Sequence, residues 1–219
     1  MSGVRASRLD LPIPRLTLVT DRRLAGGTDR LVVAIEAAIS GGVDSVQLRE
    51  KDLPPAELLL LARRLRAVTR GHALLVVNGP LEVALACKAD GVHLPESAPM
   101  AERAQFPGLI GRSVHSLESA NRAVEEGVDY LIAGAAYETG SHPGAQAAGL
   151  TLISEIASGV ALPVIAIGGI RAERIEEVMQ AGAVGVAVVS AILGTLSPTA
   201  SARNLREALD FRTRTAGRR

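Results

Sequence analysis

Residues 164–170 read Val-Ile-Ala-Ile-Gly-Gly-Ile, an apolar run that contains two adjacent glycines. A short aliphatic run bounded by turn residues is typical of a strand that is buried on both faces, as in a parallel sheet. The segment that follows, Arg171–Ala181, has the composition of a helix. This stretch therefore predicts a buried strand, a Gly-Gly loop and a helix in succession.

Units of this kind recur along the chain. Short aliphatic or β-branched runs lie at Leu16–Thr20, Ser45–Arg49, Ala73–Asn78, Gly91–Leu94, Ile110–Val114, Tyr130–Gly134, Val164–Ile167 and Gly185–Val189. Amphipathic stretches lie between them, and the clearest has Ser116 at its N-cap position. Strands that alternate with helices form a parallel sheet.

A weak internal repeat favours closure of this sheet. Its four copies each join a helix end to the next strand, at Gly41–Val46, Lys88–Val92, Glu126–Tyr130 and Ala181–Val186. They recur at about every second strand-helix unit. We therefore predict an α/β fold, a single (β/α)₈ TIM barrel over residues 15–212, with an open doubly wound sheet as the alternative.

The two ends of the chain are predicted to lie outside the barrel. Residues 1–14 contain Pro12 and Pro14 but no periodic apolar face, which predicts an extended arm. A last helix is expected at Ala200–Phe211, and residues 213–219 are expected to form a disordered basic tail.

The composition argues against several classes of protein. Lys and Arg number 24 against 23 Asp and Glu, and aromatic residues make up 2%, so the chain lacks the basic and aromatic surface of a nucleic-acid binder. No apolar run approaches the roughly 18 residues of a membrane helix. Cys87 is the single cysteine, which excludes an internal disulfide and predicts a buried, inert thiol. We expect a cytoplasmic protein.

Polar residues near the strand ends are the candidate site, because barrel enzymes bind their substrates at the carboxyl ends of the strands. The candidate binding residues are Gln47, Arg49, Lys51, Asn78, Ser113 and Thr139. Polar side chains are unusual at inward-facing strand positions, so Gln47 and Arg49 are predicted to face the barrel mouth. The alternative is a structural ion pair with Glu50 or Asp44.

The loops after the seventh and eighth strands predict a phosphate site. Backbone N–H groups of these loops, together with a helix N-terminus, commonly hold phosphate in such barrels. The residues concerned are Gly168, Gly169, Val189 and Ser190. A tight turn without a ligand is the alternative.

Four histidines bear on the chemistry. His72 is expected at the surface and His93 to be a hydrogen-bonded structural residue, whereas His115 and His142 follow the fifth and sixth strands at the rim. No His-x-x-His or carboxylate-rich spacing accompanies them, so no metal site is predicted. His142 lies between Gly140 and Pro143, in a segment expected to be mobile.

Four ordered motifs resemble the thiamin phosphate synthase superfamily over about Leu16 to Ile192. They are the segments at 46–51, 90–94, 110–116 and 166–170. The superfamily contains the synthase, which joins a pyrimidine pyrophosphate to thiazole phosphate with magnesium, and the TenI-type thiazole tautomerases. The resemblance implies a barrel that binds a thiazole phosphate, with magnesium required only if synthase activity is retained and no cofactor otherwise.

The loops are more similar to the tautomerase branch. Where the synthase pattern has two Asp and a Lys, this chain has Gly79, Ala98 and His142. The runs at 111–118 and 137–139 resemble TenI-type sequences instead. One departure is Ala135, which stands where that branch has a histidine.

The resemblance implies a proton transfer that makes a thiazole carboxylate phosphate aromatic. We expect His142 to be the principal acid–base and His115 to hold the rim through a hydrogen bond. Arg49 would pair with the substrate carboxylate, while Gln47 and Asn78 would orient the ring. A divergent thiamin phosphate synthase and a non-catalytic binding protein are the other readings, and a homo-oligomer is expected in each case.

Overall fold

The computed structural model describes residues 15–99, 106–138 and 149–216. Eight parallel strands form a closed barrel in which each strand pairs with its neighbours in the sequence and the eighth pairs with the first. The strands are β1 Leu16–Val19, β2 Ser45–Leu48, β3 Leu74–Val77, β4 Gly91–Leu94, β5 Leu109–Val114, β6 Tyr130–Gly134, β7 Val164–Ile167 and β8 Gly185–Val188. The (β/α)₈ prediction is confirmed, and the predicted strand ends differ from the observed ones by at most one residue.

Helices cover the outside of the barrel. They are α1 Thr28–Ser40, α2 Pro55–Thr69, α3 Leu81–Cys87, α4 Leu117–Glu125, α5 Gly149–Gly159, α6 Ile175–Gln180, α7 Ser190–Leu193 and α8 Pro198–Ala216. Ser116 caps α4 as predicted, because its Oγ accepts the Ser119 N–H at 3.1 Å. None of the helices in the described ranges is both long and apolar enough to cross a membrane.

The last helix is longer than the sequence indicated. It begins at Pro198 and continues to Ala216, so residues 213–216 are helical and not part of a disordered tail. Proline suits the first turn of a helix, where its missing N–H would have no partner. Residues 1–14 and 217–219, the predicted arm and the end of the predicted tail, lie outside the described residues.

Apolar side chains cover both faces of the barrel wall. The larger layer packs the outward-facing strand residues, such as Leu18, Val46 and Leu131, against the helices. The smaller one fills the barrel interior and includes Tyr130 and Ile165. Gly111 makes room for the Tyr130 ring, because a Cβ at this position would lie 2.3 Å from Tyr130 Cζ.

The internal repeat corresponds to a repeated backbone clamp at the amino-terminal end of the barrel. The Asp129 N–H donates to the Ile110 carbonyl at 2.8 Å, and the Asp129 carboxylate accepts the Ile110 N–H at 2.7 Å. Asp90 makes the same two bonds with Leu75, and Asp44 makes them with Leu16. We call this pair of bonds the aspartate clamp.

The fourth copy of the repeat has half of the clamp. The Val184 N–H donates to the Val164 carbonyl at 2.8 Å, but valine has no carboxylate to accept a bond in return. The clamps therefore join β1 to β2, β3 to β4 and β5 to β6, while β7 and β8 are joined at this point by the backbone bond alone.

Removing one clamp should destabilise the barrel measurably. We expect Asp129→Ala to lower the free energy of unfolding by about 1–3 kcal/mol, because it leaves the buried Ile110 N–H without its charged acceptor. Urea unfolding followed by circular dichroism measures the change. Asp29→Ala is the matched control, since Asp29 forms a surface ion pair with Arg64 and should cost less than about 1 kcal/mol. Equal losses in the two variants would contradict a special role for the clamp.

Candidate active site at the carboxyl ends of the strands

Polar side chains are buried inside the barrel below its carboxyl-terminal rim. His93 on β4 is hydrogen-bonded through Nε2 to Ser113 Oγ on β5 at 2.8 Å. Gln47 on β2 is 3% exposed, and its position pairs with Val19 of the interior layer. Gln47 Nε2 and His93 Nδ1 are buried without a hydrogen-bond partner among the described residues. The barrel interior therefore offers unused polar atoms beneath the rim.

The environment of His93 keeps its imidazole neutral. Burial, followed by the positive charges of Arg49 and Arg112, lowers the pKa of His93 to about 3. The hydrogen bond expected of a structural histidine is present from Nε2 to Ser113, but the ring is only half satisfied, because Nδ1 has no partner in the described part of the chain. His93 cannot carry a proton near neutral pH and acts as a neutral hydrogen-bonding group.

Arg49 is half-buried just after β2. Its backbone N–H donates to Thr20 Oγ1 at 2.9 Å, and its guanidinium has no ion-pair partner within the described ranges. The alternative predicted from the sequence was an ion pair of Arg49 with Glu50 or Asp44. These two acids instead pair with other arginines, Glu50 with Arg22 and Asp44 with Arg206. The Arg49 guanidinium is thus available to an anionic ligand.

The turn after Arg49 is held by the β1 loop. Arg22 bridges Glu50 and Asp52, at 3.1 and 2.7 Å, and this hydrogen bonding holds the pKa of the Asp52 carboxyl well below its usual range. Lys51 lies between these two acids and is exposed. Both carboxylates nearest to Arg49 in sequence are therefore engaged by Arg22.

A histidine–carboxylate pair lies at the rim between β4 and β5. His115 Nδ1 is 2.5 Å from Glu96 Oε2, and Arg122 Nη2 approaches Glu96 Oε1 at 3.8 Å. A carboxylate accepts from a ring N–H, so this contact places a proton on Nδ1 and leaves Nε2 outside the bond. The His115 side chain is 65% exposed. A bound molecule can therefore reach Nε2.

Arg112 holds the loop that carries Glu96. Its guanidinium donates to the Glu96 carbonyl at 3.0 Å and to the Ala98 carbonyl, and it forms an ion pair with Glu126. The sequence pattern does not predict these contacts, because Arg112 lies at an outward position of β5. The sequence signal is a charged residue inside a strand that also contains Ser113.

The Gly-Gly loop after β7 packs tightly against the segment that follows β6. Gly168 and Gly169 have φ angles of 106° and 62°, and a Cβ on Gly169 would lie 2.6 Å from the Glu138 carbonyl oxygen. Arg174 donates to the Gly169 carbonyl at 2.7 Å and stacks 4.1 Å above the Tyr137 ring. Only glycine fits this course without strain.

The loop after β8 lies beside the Gly-Gly loop, since β7 and β8 are neighbours in the sheet. Val189 precedes the short helix α7, and Ser190 is its exposed first residue. The N–H groups of Gly169 and Ser190 donate to no other described residue.

The remaining candidates are placed as follows. Asn78 is half-buried at the end of β3, where its N–H donates to the Leu48 carbonyl at 2.9 Å. Thr139 and His142 lie outside the described residues, so their placement stays a prediction. The structure thus places Gln47, Asn78 and Ser113 at or below one rim, together with Arg49.

Among the described residues, the rim lacks the two carboxylates that the synthase pattern implies for magnesium. Gly79 and Ala98 offer no side-chain oxygen, and the Ala98 carbonyl is engaged by Arg112. Glu96 is engaged by His115 and Arg122. Among residues 15–99, 106–138 and 149–216, no group of three His, Cys, Asp or Glu side chains could hold a metal ion.

Comparison with known proteins establishes the family. The family described as "Thiamine monophosphate synthase" matches residues 16–192. The chain belongs to the thiamine monophosphate synthase family. It is therefore a TIM-barrel protein of thiamin biosynthesis, as the sequence motifs indicated.

Relatives in this family carry the synthase name. The chain is 44% identical over 198 residues to "Thiamine-phosphate synthase" of Methanoculleus marisnigri, covering 88% of this chain and 93% of the relative. It is 41% identical over 187 residues to "Putative thiamine-phosphate synthase 2" of Aquifex aeolicus, covering 84% and 100%. The solved "Thiamine phosphate pyrophosphorylase" of Pyrococcus furiosus has a TM-score of 0.82 at 36% identity, covering 90% and 96%.

Burial of His93 predicts a pH dependence of stability. The unfolded chain binds a proton at this imidazole below about pH 6.5, whereas the folded chain binds it only near pH 3. Its contribution to stability is therefore full above pH 6.5 and is lost as the pH falls towards 3. Between pH 7 and pH 5 the loss should be about 2 kcal/mol.

Urea unfolding of His93→Gln at these two pH values tests this assignment. The variant should lose less stability than the parent protein between pH 7 and pH 5, whatever its stability at pH 7. His72→Gln, a change at an exposed histidine, is the control for a histidine outside the barrel interior. A pH dependence in His93→Gln identical to that of the parent protein would contradict the neutral state of His93.

Proposed function

We propose that the protein is a thiazole tautomerase, which moves a proton within a thiazole carboxylate phosphate so that the ring becomes aromatic. The observation that carries this proposal is the composition of the rim. It has the His115–Glu96 pair, but Gly79 and Ala98 stand where the synthase pattern has its acidic residues. Proton transfer needs an acid and a base, whereas pyrophosphate departure needs its charge neutralised.

The proposed reaction takes one proton from a ring carbon and returns one at another position, with no net change in composition. Glu96 orients His115 by accepting from Nδ1, which presents the Nε2 lone pair as a base. His142 is proposed as the principal acid–base, acting from its loop with His115 as the second group. His93 is excluded as a proton carrier near neutral pH because its pKa is about 3.

Binding of the substrate is assigned to three groups of residues. The Arg49 guanidinium pairs with the carboxylate, supported by the lack of a competing ion-pair partner in the described part of the chain. Gln47 and Asn78 orient the ring, with Lys51, Ser113 and Thr139 as further contacts. Backbone N–H groups at Gly168, Gly169, Val189 and Ser190 hold the phosphate.

Thiamin phosphate synthase is the second candidate. The names of the relatives favour it, as do Gln47, Arg49, Lys51, Asn78 and Ser113, which match the synthase pattern. The rim carboxylates described above do not fit a magnesium site, and this is why we rank it second. A non-catalytic thiazole phosphate-binding protein is the outcome if neither reaction proceeds.

One assay separates these functions. The purified protein is incubated with the non-aromatic thiazole carboxylate phosphate, and conversion is followed by NMR against buffer alone. Acceleration supports the tautomerase, and its absence excludes it. Thiamin phosphate formation at a catalytic rate from the pyrimidine pyrophosphate, thiazole phosphate and magnesium would instead establish the synthase.

Single substitutions test the proton carriers. We expect His142→Ala to lower turnover at saturating substrate by about 10²–10⁴-fold, which is the usual contribution of a general acid–base. Glu96→Gln should lower turnover less than His115→Ala, because the amide can still hold the ring but cannot stabilise a proton on it. A His142→Ala rate within about threefold of the parent rate would exclude His142 as principal carrier.

A glycine substitution tests the phosphate site independently of catalysis. Gly169→Val should abolish the shift of the Ser190 amide signal on addition of inorganic phosphate, because the new side chain displaces the Gly-Gly loop. Gly182→Val is the matched control, since Gly182 also has a positive φ and a crowded Cβ position but lies before β8, at the other end of the barrel. Unchanged phosphate affinity at Ser190 in a folded Gly169→Val variant would contradict the assignment.

A further inference from the structure

A cavity lies on the outside of the barrel between α2 and α3. It has a volume of about 520 Å³ and is lined by Arg63, Arg66, Ala67, Arg70, Ala86, Cys87 and Lys88. These residues belong to the carboxyl-terminal parts of the two helices, which lead into β3 and β4. The cavity therefore opens at the amino-terminal end of the barrel, opposite the rim. We call it the basic groove.

The basic groove carries more positive charge than the carboxylate beside it can neutralise. Arg66 forms an ion pair with Asp90 at 2.7 Å, and this Asp90 is part of an aspartate clamp. Arg63, Arg70 and Lys88 are exposed, and their side chains form no ion pair within the described part of the chain. Three cations thus face one groove without a counter-ion there.

Arg66 supplies a buried donor that the fold does not use. Its residue is 9% exposed, and its Nε is buried without a hydrogen-bond partner among the described residues. Nη1 of the same guanidinium is fixed by Asp90 and by the Lys88 carbonyl at 3.4 Å. A guanidinium fixed on one edge presents its remaining donors in a defined direction, which suits an oxyanion.

Lys88 occupies a position that favours glycine. It ends α3 with a φ of 55°, the left-handed conformation that glycine or asparagine usually adopts at a helix end. Outside glycine this conformation is uncommon and carries a cost. A lysine at this position adds charge to the basic groove at the expense of backbone strain.

We propose that the basic groove binds a small molecule that carries two linked phosphate groups. A single phosphate ester carries a charge of about −1.5 to −2 near neutral pH, which is less than the three uncompensated cations. The cavity volume is within the range of small-molecule sites, and Ala67, Ala86 and Cys87 provide an apolar wall for the organic part of the molecule. This site is independent of the proposed function, because it lies at the other end of the barrel.

NMR titration of the full chain with inorganic pyrophosphate tests the groove. The amide signals of Ala67, Ala86 and Lys88 report on it, and those of Gly169 and Ser190 report on the rim. Binding at the groove signals should weaken about tenfold or more in the double variant Arg63→Gln/Arg70→Gln, while affinity at the rim signals stays unchanged. Groove signals that do not move with pyrophosphate would overturn the proposal.

Arg64→Gln is the matched control. Arg64 lies beside Arg63 on α2, but it pairs with Asp29 of α1 and does not line the groove. It should leave the affinity at the groove signals within about twofold of the parent value. An equal loss of affinity in this variant would show that the effect comes from net charge alone, and it would overturn the proposed site.

Inorganic phosphate serves as the second probe. Pyrophosphate should bind at the groove signals about tenfold more tightly than phosphate, since it can engage more of the cations. Equal affinities of the two anions would contradict the assignment to a diphosphate compound.

Discussion

The aspartate clamps fix the register of three strand pairs, β1–β2, β3–β4 and β5–β6, and the interior positions of Gln47, His93 and Ser113 depend on that register. One carboxylate and one backbone N–H bind both polar groups of a single residue on the preceding strand, Leu16, Leu75 or Ile110. A slip by one residue would turn every side chain to the opposite face of the sheet. In the observed register Gln47, His93 and Ser113 occupy the interior series of positions, while leucine and valine contact the helices.

Burial divides the histidines by what they can do. Inside the barrel, His93 is held neutral by desolvation and by nearby arginines, so it contributes hydrogen bonds and no exchangeable proton near neutral pH. Two residues after Ser113 the chain reaches the exposed rim. There His115 contacts both solvent and a carboxylate. How deeply a histidine lies in the barrel therefore decides whether its imidazole can take part in proton transfer.

The sequence predicted the strands well because each is a short aliphatic run bounded by a small or polar residue, a signal that is local. The prediction for α8 was too short. The polar composition after Phe211 is typical of a tail, but the helix continues to Ala216. The pairing of Glu96 with His115 could not be predicted in this way, and neither could the contacts of Arg112 with the loop that carries Glu96. Both join residues that are 14–19 positions apart, and the pairing of β4 with β5 brings them together.

The clamps also bear on the order in which the barrel assembles. Each one closes a segment of 15 to 28 residues, so it can form within a consecutive strand-helix-strand unit before distant parts of the chain meet. Short loops close with little entropic cost, and contacts that are local in sequence favour rapid folding. The β7–β8 pair has valine in place of the aspartate and must rely on the sheet already formed beside it. We expect this last quarter to be the slowest to protect its amides from exchange with solvent during refolding.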